Sequence, residues 1–136
     1  MSSPATILLI EDDLGVQAAL IEALTLEEQP LLLAATVAAA EAVLQRIGVD
    51  AIRLVIADIH LTAGLQACEG YHLYERWHQR HPQLPFLLIS GSPVSRDLPA
   101  VQTGEVRCLA KPFALHELLQ AMQEATHRSP GLFGQS

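Results

Sequence analysis

Lysine is nearly missing from this chain of 136 residues: Lys111 is the only one, and the other seven basic residues are arginines. Aromatics are scarce as well, with one Trp, two Tyr and three Phe. Half of the residues are nevertheless hydrophobic, so the core has to be aliphatic, built from Leu, Ile, Val and Ala. Two cysteines, Cys68 and Cys108, do not make a disulfide framework. No apolar stretch approaches the roughly 18 residues of a membrane span, which argues against membrane insertion. The first residues, Met1-Ser2-Ser3-Pro4-Ala5, carry no positive side chain, against a secretory signal. No run of Lys and Arg occurs, and 8 basic against 15 acidic residues leave a formal charge of −7. That balance excludes an autonomous nucleic-acid surface, which needs a basic patch. No glycine-rich phosphate-cradling loop is present, which argues against an ATP site. The length fits one compact domain, and together these absences describe a cytoplasmic protein.

What is present is a regular alternation of short apolar runs and helical patterns. Ile7-Leu8-Leu9-Ile10, Leu31-Leu32-Leu33-Ala34-Ala35, Leu54-Val55-Ile56-Ala57, Phe86-Leu87-Leu88-Ile89 and Val106 to Ala110 read as five strands. Between them, Val16, Ala19, Leu20, Ala23 and Leu24 recur at helical spacing, with Pro30 as the expected stop. Val37, Ala40, Leu44 and Ile47 mark a second helix ending at Gly48. Tyr71, Tyr74, Trp77 and His78 mark a third helix, and Leu115, Leu118, Leu119 and Met122 the last. Proline is tolerated at a helix start but not inside one. Pro93 and Pro99 therefore leave room only for a short fourth helix, from near Pro99 to Gly104. Continuous apolar strands alternating with helices predict a parallel sheet covered on both faces, a doubly wound, flavodoxin-like α/β fold in three layers. The domain spans residues 5–127, and 128–136 form a Ser/Pro/Gly-rich tail that reads as disordered or as a linker.

In such sheets ligands bind outside the carboxyl ends of the strands. The residues found there are Glu11, Asp12 and Asp13, then Asp58, Ser90 and Lys111. Carboxylates brought to one edge repel one another and are tolerated with a cation between them. An all-oxygen donor set with no His or Cys side chain at the strand ends points to a hard ion such as Mg²⁺. Lys111 adds a compact ammonium, and Ser90 a hydroxyl able to donate to an oxyanion. Taken alone, Lys111 reads more readily as a surface lysine in a turn, and Asp12 or Asp13 could be a helix cap. Taken together, a metal, an ammonium and a hydroxyl around one aspartate suit phosphoryl transfer to that carboxylate. Asp58, alone at the end of its strand, is the natural acceptor.

Four blocks carry a resemblance: Ile-Leu-Leu-Ile-Glu-Asp-Asp, Leu-Val-Ile-Ala-Asp, Leu-Leu-Ile-Ser-Gly and Leu-Ala-Lys-Pro-Phe. In this order and spacing the chain resembles a response-regulator receiver domain, over about residues 5 to 127. The resemblance implies that Glu11 and Asp12 hold Mg²⁺ beside Asp58, with Asp13 in a lesser role. It implies that the backbone carbonyl of His60 completes the protein metal ligands, and that Asp58 is the phosphoacceptor. Ser90 would bond a phosphoryl oxygen and move on activation, and Lys111 would pair with the phosphoryl group. The Lys111–Pro112 bond would be cis, at the kind of bond where cis is cheap. His60 and Ser92 would flank the phosphoryl group and tune its hydrolysis, with His60 shielding or steering the attacking water. A sensor histidine kinase or a histidine phosphotransfer protein would be the donor. The protein would be a signalling receiver and not an enzyme in its own right, apart from self-catalysed transfer and hydrolysis, and a monomer or weak dimer.

Several positions depart from that pattern. Thr62 stands where a proline is usual, and Gly70, the glycine expected to open the third helix, comes about four residues late, so Thr62 to Glu69 forms a longer loop. Cys108 stands where Tyr, Phe or Trp is usual, three residues before the lysine, and cannot fill an aromatic's volume. With the short fourth helix, it implies an altered output face. These departures leave open an adaptor that binds proteins without phosphorylation. A flavin-binding or other small-molecule enzyme on the same fold class is a third reading, and it lacks a phosphate loop. Cys68 with His72, and His78 with His81, have spacings that suggest zinc only weakly, without a four-ligand set.

Overall fold

The structure, a computed structural model, describes residues 6–61 and 68–127. The expected tail at 128–136 and most of the long loop, including Thr62, lie outside the described residues. The elements run β1 (Thr6–Ile10), α1 (Leu14–Leu26), β2 (Leu31–Ala34), α2 (Val37–Ile47) and β3 (Ile52–Asp58). They continue with α3 (Glu69–Arg80), β4 (Phe86–Ser90), α4 (Pro99–Gln102), β5 (Arg107–Ala110) and α5 (Leu115–Thr126). All pairings are parallel, in the order β2-β1-β3-β4-β5. This is the flavodoxin-like doubly wound order, in a parallel sheet of the kind that the alternation of runs implied.

Side chains on a strand point to alternate faces, and here both faces are buried. Ile7, Leu9, Leu54, Ile56, Leu87 and Ile89 pack with Leu20 and Leu24 of α1 and with Leu118 and Ala121 of α5. Leu8, Ile10, Val55, Ala57, Phe86 and Leu88 pack on the other face with Ala40 of α2, Tyr71, Tyr74 and Trp77 of α3 and Ala100 of α4. Hence the strands show continuous apolar runs instead of alternation. Each fully buried Leu or Ile contributes on the order of 1.5–3 kcal/mol. Tyr71, Tyr74, Trp77 and Phe86 share one face, where Tyr74 and Trp77 meet Phe86 edge-on at 5.0 and 6.0 Å.

Helix ends follow local chemistry. Asp13 caps α1, its Oδ1 accepting from the Val16 N–H at 3.0 Å. Thr36 caps α2 through the Ala39 N–H at 3.0 Å, and Gly48 ends that helix at φ +84°. At such a positive φ, glycine carries no steric penalty. Helix α1 stops at Leu26, before Pro30: Glu28 takes a left-handed φ of +58°, and the Glu28 and Gln29 N–H groups donate to Thr25 and Leu24 carbonyls. The fourth helix is short, as the prolines require, but it is preceded by a 3-10 turn at Pro93–Asp97 that the sequence did not announce. None of the described helices is long and apolar enough to cross a membrane.

Candidate functional site

In-register pairing aligns the strand ends: Ile10 beside Ala57, Asp58 beside Ile89, and Ser90 beside Ala110. The residues that follow Ile10 and Ala110, and those that end β3 and β4, therefore meet at one edge. Ligand oxygens of Glu11, Asp12 and Asp58 lie within 4.8 Å of one another. Glu11 and Asp58 are buried and Asp12 is exposed. The Lys111 ammonium donates to Asp58 Oδ2 at 2.9 Å and lies 3.3 Å from Glu11 Oε1. The second contact is an ion pair without hydrogen-bond geometry, so Glu11 Oε1 stays buried with no hydrogen-bond partner.

The electrostatics follow from this crowding. Burial raises the Glu11 carboxyl to about 7, helped by the Asp58 charge and opposed by the Asp13 N–H and the Lys111 ammonium. Burial works against the Lys111 ammonium, but the Asp58 and Glu11 carboxylates outweigh it and hold its pKa above the usual lysine value. One ammonium does not balance three carboxylates. The orphaned Glu11 oxygen and the all-oxygen donor set fit a hard divalent cation. Asp13 faces another duty: its N–H donates to Glu11 Oε2 at 3.1 Å while its side chain caps α1.

Asp58 is fixed from several sides. The His60 N–H donates to Asp58 Oδ1 at 2.9 Å, and the His60 side chain is exposed. Gly70 lies so close that a Cβ built on it would sit 1.9 Å from the Asp58 carbonyl oxygen. The Gly70 N–H donates to the Ile59 carbonyl at 2.8 Å, so the start of α3 is sewn to the end of β3. The late glycine thus takes up its position against β3 despite the longer loop before it. The Lys111–Pro112 bond is cis. Ser90, at the end of β4, is buried and does not face an open site: its Oγ lies 2.6 Å from Ser95 Oγ and accepts from the Ser92 N–H at 3.0 Å.

Cys108 is half-buried and packs against the α3 side of the core. Burial, and then the Asp58 charge, push its thiol up to about 11, with Arg107 opposing. A thiol held in that state is protonated at neutral pH, so a reactive role is disfavoured. Among the described residues the only triad able to hold a metal is the acidic one, so neither Cys68 with His72 nor His78 with His81 gathers a zinc set. His78 instead stacks on Tyr74 at 5.2 Å and pairs with Glu105 at 3.5 Å.

Three contributors escaped the sequence. Gln17 is buried, and its amide donates to the Glu11 carbonyl, steadying the first acidic residue. Its signal was available: 17, 20 and 24 fall on one helical stripe, so a polar residue sits among leucines. The Tyr71 hydroxyl accepts from the Ala100 N–H at 2.9 Å, tying α3 to α4. Ser95, buried in the 3-10 turn, had no signal, being one serine among several in the stretch from Ser90.

The family model "Response regulator receiver domain" matches residues 7–123. The response regulator protein FleR of Pseudomonas aeruginosa is 32% identical over 129 residues, covering 93% of this chain and 26% of that protein. The transcriptional regulatory protein PmrA of Pectobacterium parmentieri is 32% identical over 126 residues, covering 92% of this chain and 54% of that protein. The chain thus spans between a quarter and about half of the length of these curated relatives. The crystal structure of the receiver domain of NtrX from Brucella abortus superposes with a TM-score of 0.76 at 25% identity, covering 90% of this chain and 99% of that one.

Proposed function

Because the chain belongs to the response regulator receiver domain family, we propose that it accepts a phosphoryl group on Asp58 and changes conformation around residues 90–111. The observation that carries this is the Lys111 ammonium 2.9 Å from the Asp58 carboxylate, beside the orphaned Glu11 oxygen. The donor would be a sensor histidine kinase or a histidine phosphotransfer protein, and the reaction would take place in the cytoplasm. Glu11, Asp12, Asp58 and the His60 carbonyl would hold Mg²⁺, which supplies charge neutralisation for the transferring phosphoryl oxygens.

The chain's own residues do the rest. An Asp58 oxygen forms a bond to phosphorus as the phosphorus–nitrogen bond of the donor phosphohistidine breaks, and the leaving imidazole nitrogen takes up a proton. His60 N–H and Lys111 hold the carboxylate oriented for attack. Once phosphorus is attached, the Lys111 ammonium is close enough to follow the added negative charge, and the Ser90 hydroxyl supplies a second donor after it turns. Hydrolysis resets the site: water attacks phosphorus, and the Asp58 carboxylate leaves with its electron pair. The exposed His60 side chain would shield that approach, so equal phosphoryl lifetimes for wild type and His60→Asn would remove it from this step.

Treatment with acetyl phosphate and Mg²⁺ should add one phosphoryl group by mass, and chelation of the metal should prevent it. A protein that stays unmodified with Mg²⁺ present, and that also fails to bind beryllofluoride, would leave the adaptor reading in its place, which the short α4 and Cys108 favour.

A further inference from the structure

The Ser90 hydroxyl is fully engaged by its own downstream turn. A hydroxyl has one proton and two lone pairs. The Ser92 N–H takes one lone pair at 3.0 Å. The remaining capacity goes to Ser95 Oγ at 2.6 Å and to the Ser92 carbonyl at 3.3 Å. Ser95 is 3% exposed and sits in the 3-10 turn Pro93–Asp97, and Ser90 is its only side-chain hydrogen-bond partner among the described residues. Ser90 therefore keeps its Ser92 partners if Ser95 moves, whereas Ser90 cannot turn away without leaving the buried Ser95 hydroxyl without its side-chain partner.

From this geometry we infer that Ser95 is a positioning residue, a latch that holds the Ser90 hydroxyl turned away from Asp58 and couples its release to movement of the Pro93–Asp97 turn. The inference rests on Asp58 being the phosphoryl acceptor. When Ser90 turns toward a phosphoryl oxygen, the bond to Ser95 breaks. The buried Ser95 hydroxyl then needs a new partner, and the turn that carries it has to shift. That turn leads directly into α4, whose Ala100 N–H is anchored on Tyr71. A hydroxyl pair thus supplies a route from Asp58 to α4 at a receiver whose β5 offers Cys108 in place of an aromatic side chain.

The test is a beryllofluoride titration in Mg²⁺, since beryllofluoride joins a carboxylate oxygen as a tetrahedral acyl-phosphate analogue. Binding is read by amide NMR shifts. Ser95→Ala frees Ser90 and leaves no hydroxyl to be orphaned, so beryllofluoride affinity should rise about tenfold, the scale of one buried hydrogen bond. At the same time the shifts at Val94 to Gln102 should shrink, because the turn no longer has to follow. In a Ser90→Ala background the Ser95→Ala change should have no further effect on affinity, which a merely structural loss would not reproduce. Ser95→Cys, close in volume but a weak hydrogen-bonding group, carries the same comparison if Ser95→Ala does not fold. Wild-type binding with unchanged affinity and unchanged shifts in the Ser95 variants overturns the latch alone. Absence of beryllofluoride binding to the wild type overturns the Asp58 acceptor and the latch with it.

Discussion

Replacing Gly70 by alanine should damage both stability and chemistry, because that glycine lies against the backbone of Asp58, the proposed acceptor. A Cβ at this position would meet the Asp58 carbonyl oxygen at 1.9 Å, its carbon at 2.8 Å and the Ile59 Cα at 3.1 Å. All three are backbone atoms and cannot swing aside as the end of a side chain would. Relief requires α3 to withdraw from β3, which stretches the Gly70 N–H bond to the Ile59 carbonyl. Overpacking costs about 1–3 kcal/mol and the weakened hydrogen bond about 1 more, while the gain in helix propensity returns about 1. A net loss of about 2 kcal/mol should lower Tm by roughly 7 °C for a domain of this size. The same withdrawal moves Asp58, and misplacement by about 1 Å can cost up to about 100-fold in rate. Thermal unfolding and the rate of labelling by acetyl phosphate measure the two effects. Gly91 is the control: nothing lies within 4 Å of a Cβ there, so Gly91→Ala should stay within about 0.5 kcal/mol of wild type. A Gly70→Ala protein that melts and reacts like wild type would refute the close approach of α3 to Asp58.

Mg²⁺ at about ten times its Kd should stabilise the protein by about 1.4 kcal/mol, and Asp12→Ala, at an exposed position, should abolish that gain in thermal melts while still folding. Tyr71→Phe leaves the buried Ala100 N–H without its acceptor; a loss of about 1–3 kcal/mol should appear in denaturant unfolding, with faster hydrogen exchange in α4. The Cys108 thiol, held at about 11 against an ordinary 9.0, should resist alkylation at pH 8 in the native state and react once the protein is unfolded. The folded protein retains the Cys108 proton to higher pH than the unfolded chain, so this contribution to stability is intact below pH 9 and is lost as pH rises toward 11. Native alkylation of Cys108 at the rate of a free thiol would contradict that burial.

The sheet was legible because each strand is an unbroken aliphatic run, a pattern that burial on both faces imposes, and because Gly48 and Pro99 punctuate their helices where backbone rules require. The end of α1 was not: it closes through a left-handed Glu28, without the glycine that usually marks such a turn, so Pro30 drew the boundary too late. The meeting of Glu11, Asp12, Asp58 and Lys111 could be read from strand ends, since parallel topology gathers them at one edge. The orientation of Ser90 could not, because it depends on Ser95 folding back across a 3-10 turn, a contact with no periodic or compositional trace. Cys108 was visible as a departure, but its half-buried, protonated state came only from packing and from its distance to Asp58 charge.

The central claim is that Asp58 carries the phosphoryl group, and reductive trapping addresses it at the level of the residue. Borohydride reduces an acyl phosphate to the alcohol, so treatment after acetyl phosphate and Mg²⁺ should convert the side chain at position 58 to that of homoserine. Peptide mass mapping should find this change at Asp58 and at none of Glu11, Asp12 or Asp13, and it should be absent without Mg²⁺. Conversion at another carboxylate, or a phosphoryl group that persists in Asp58→Asn, would contradict the account.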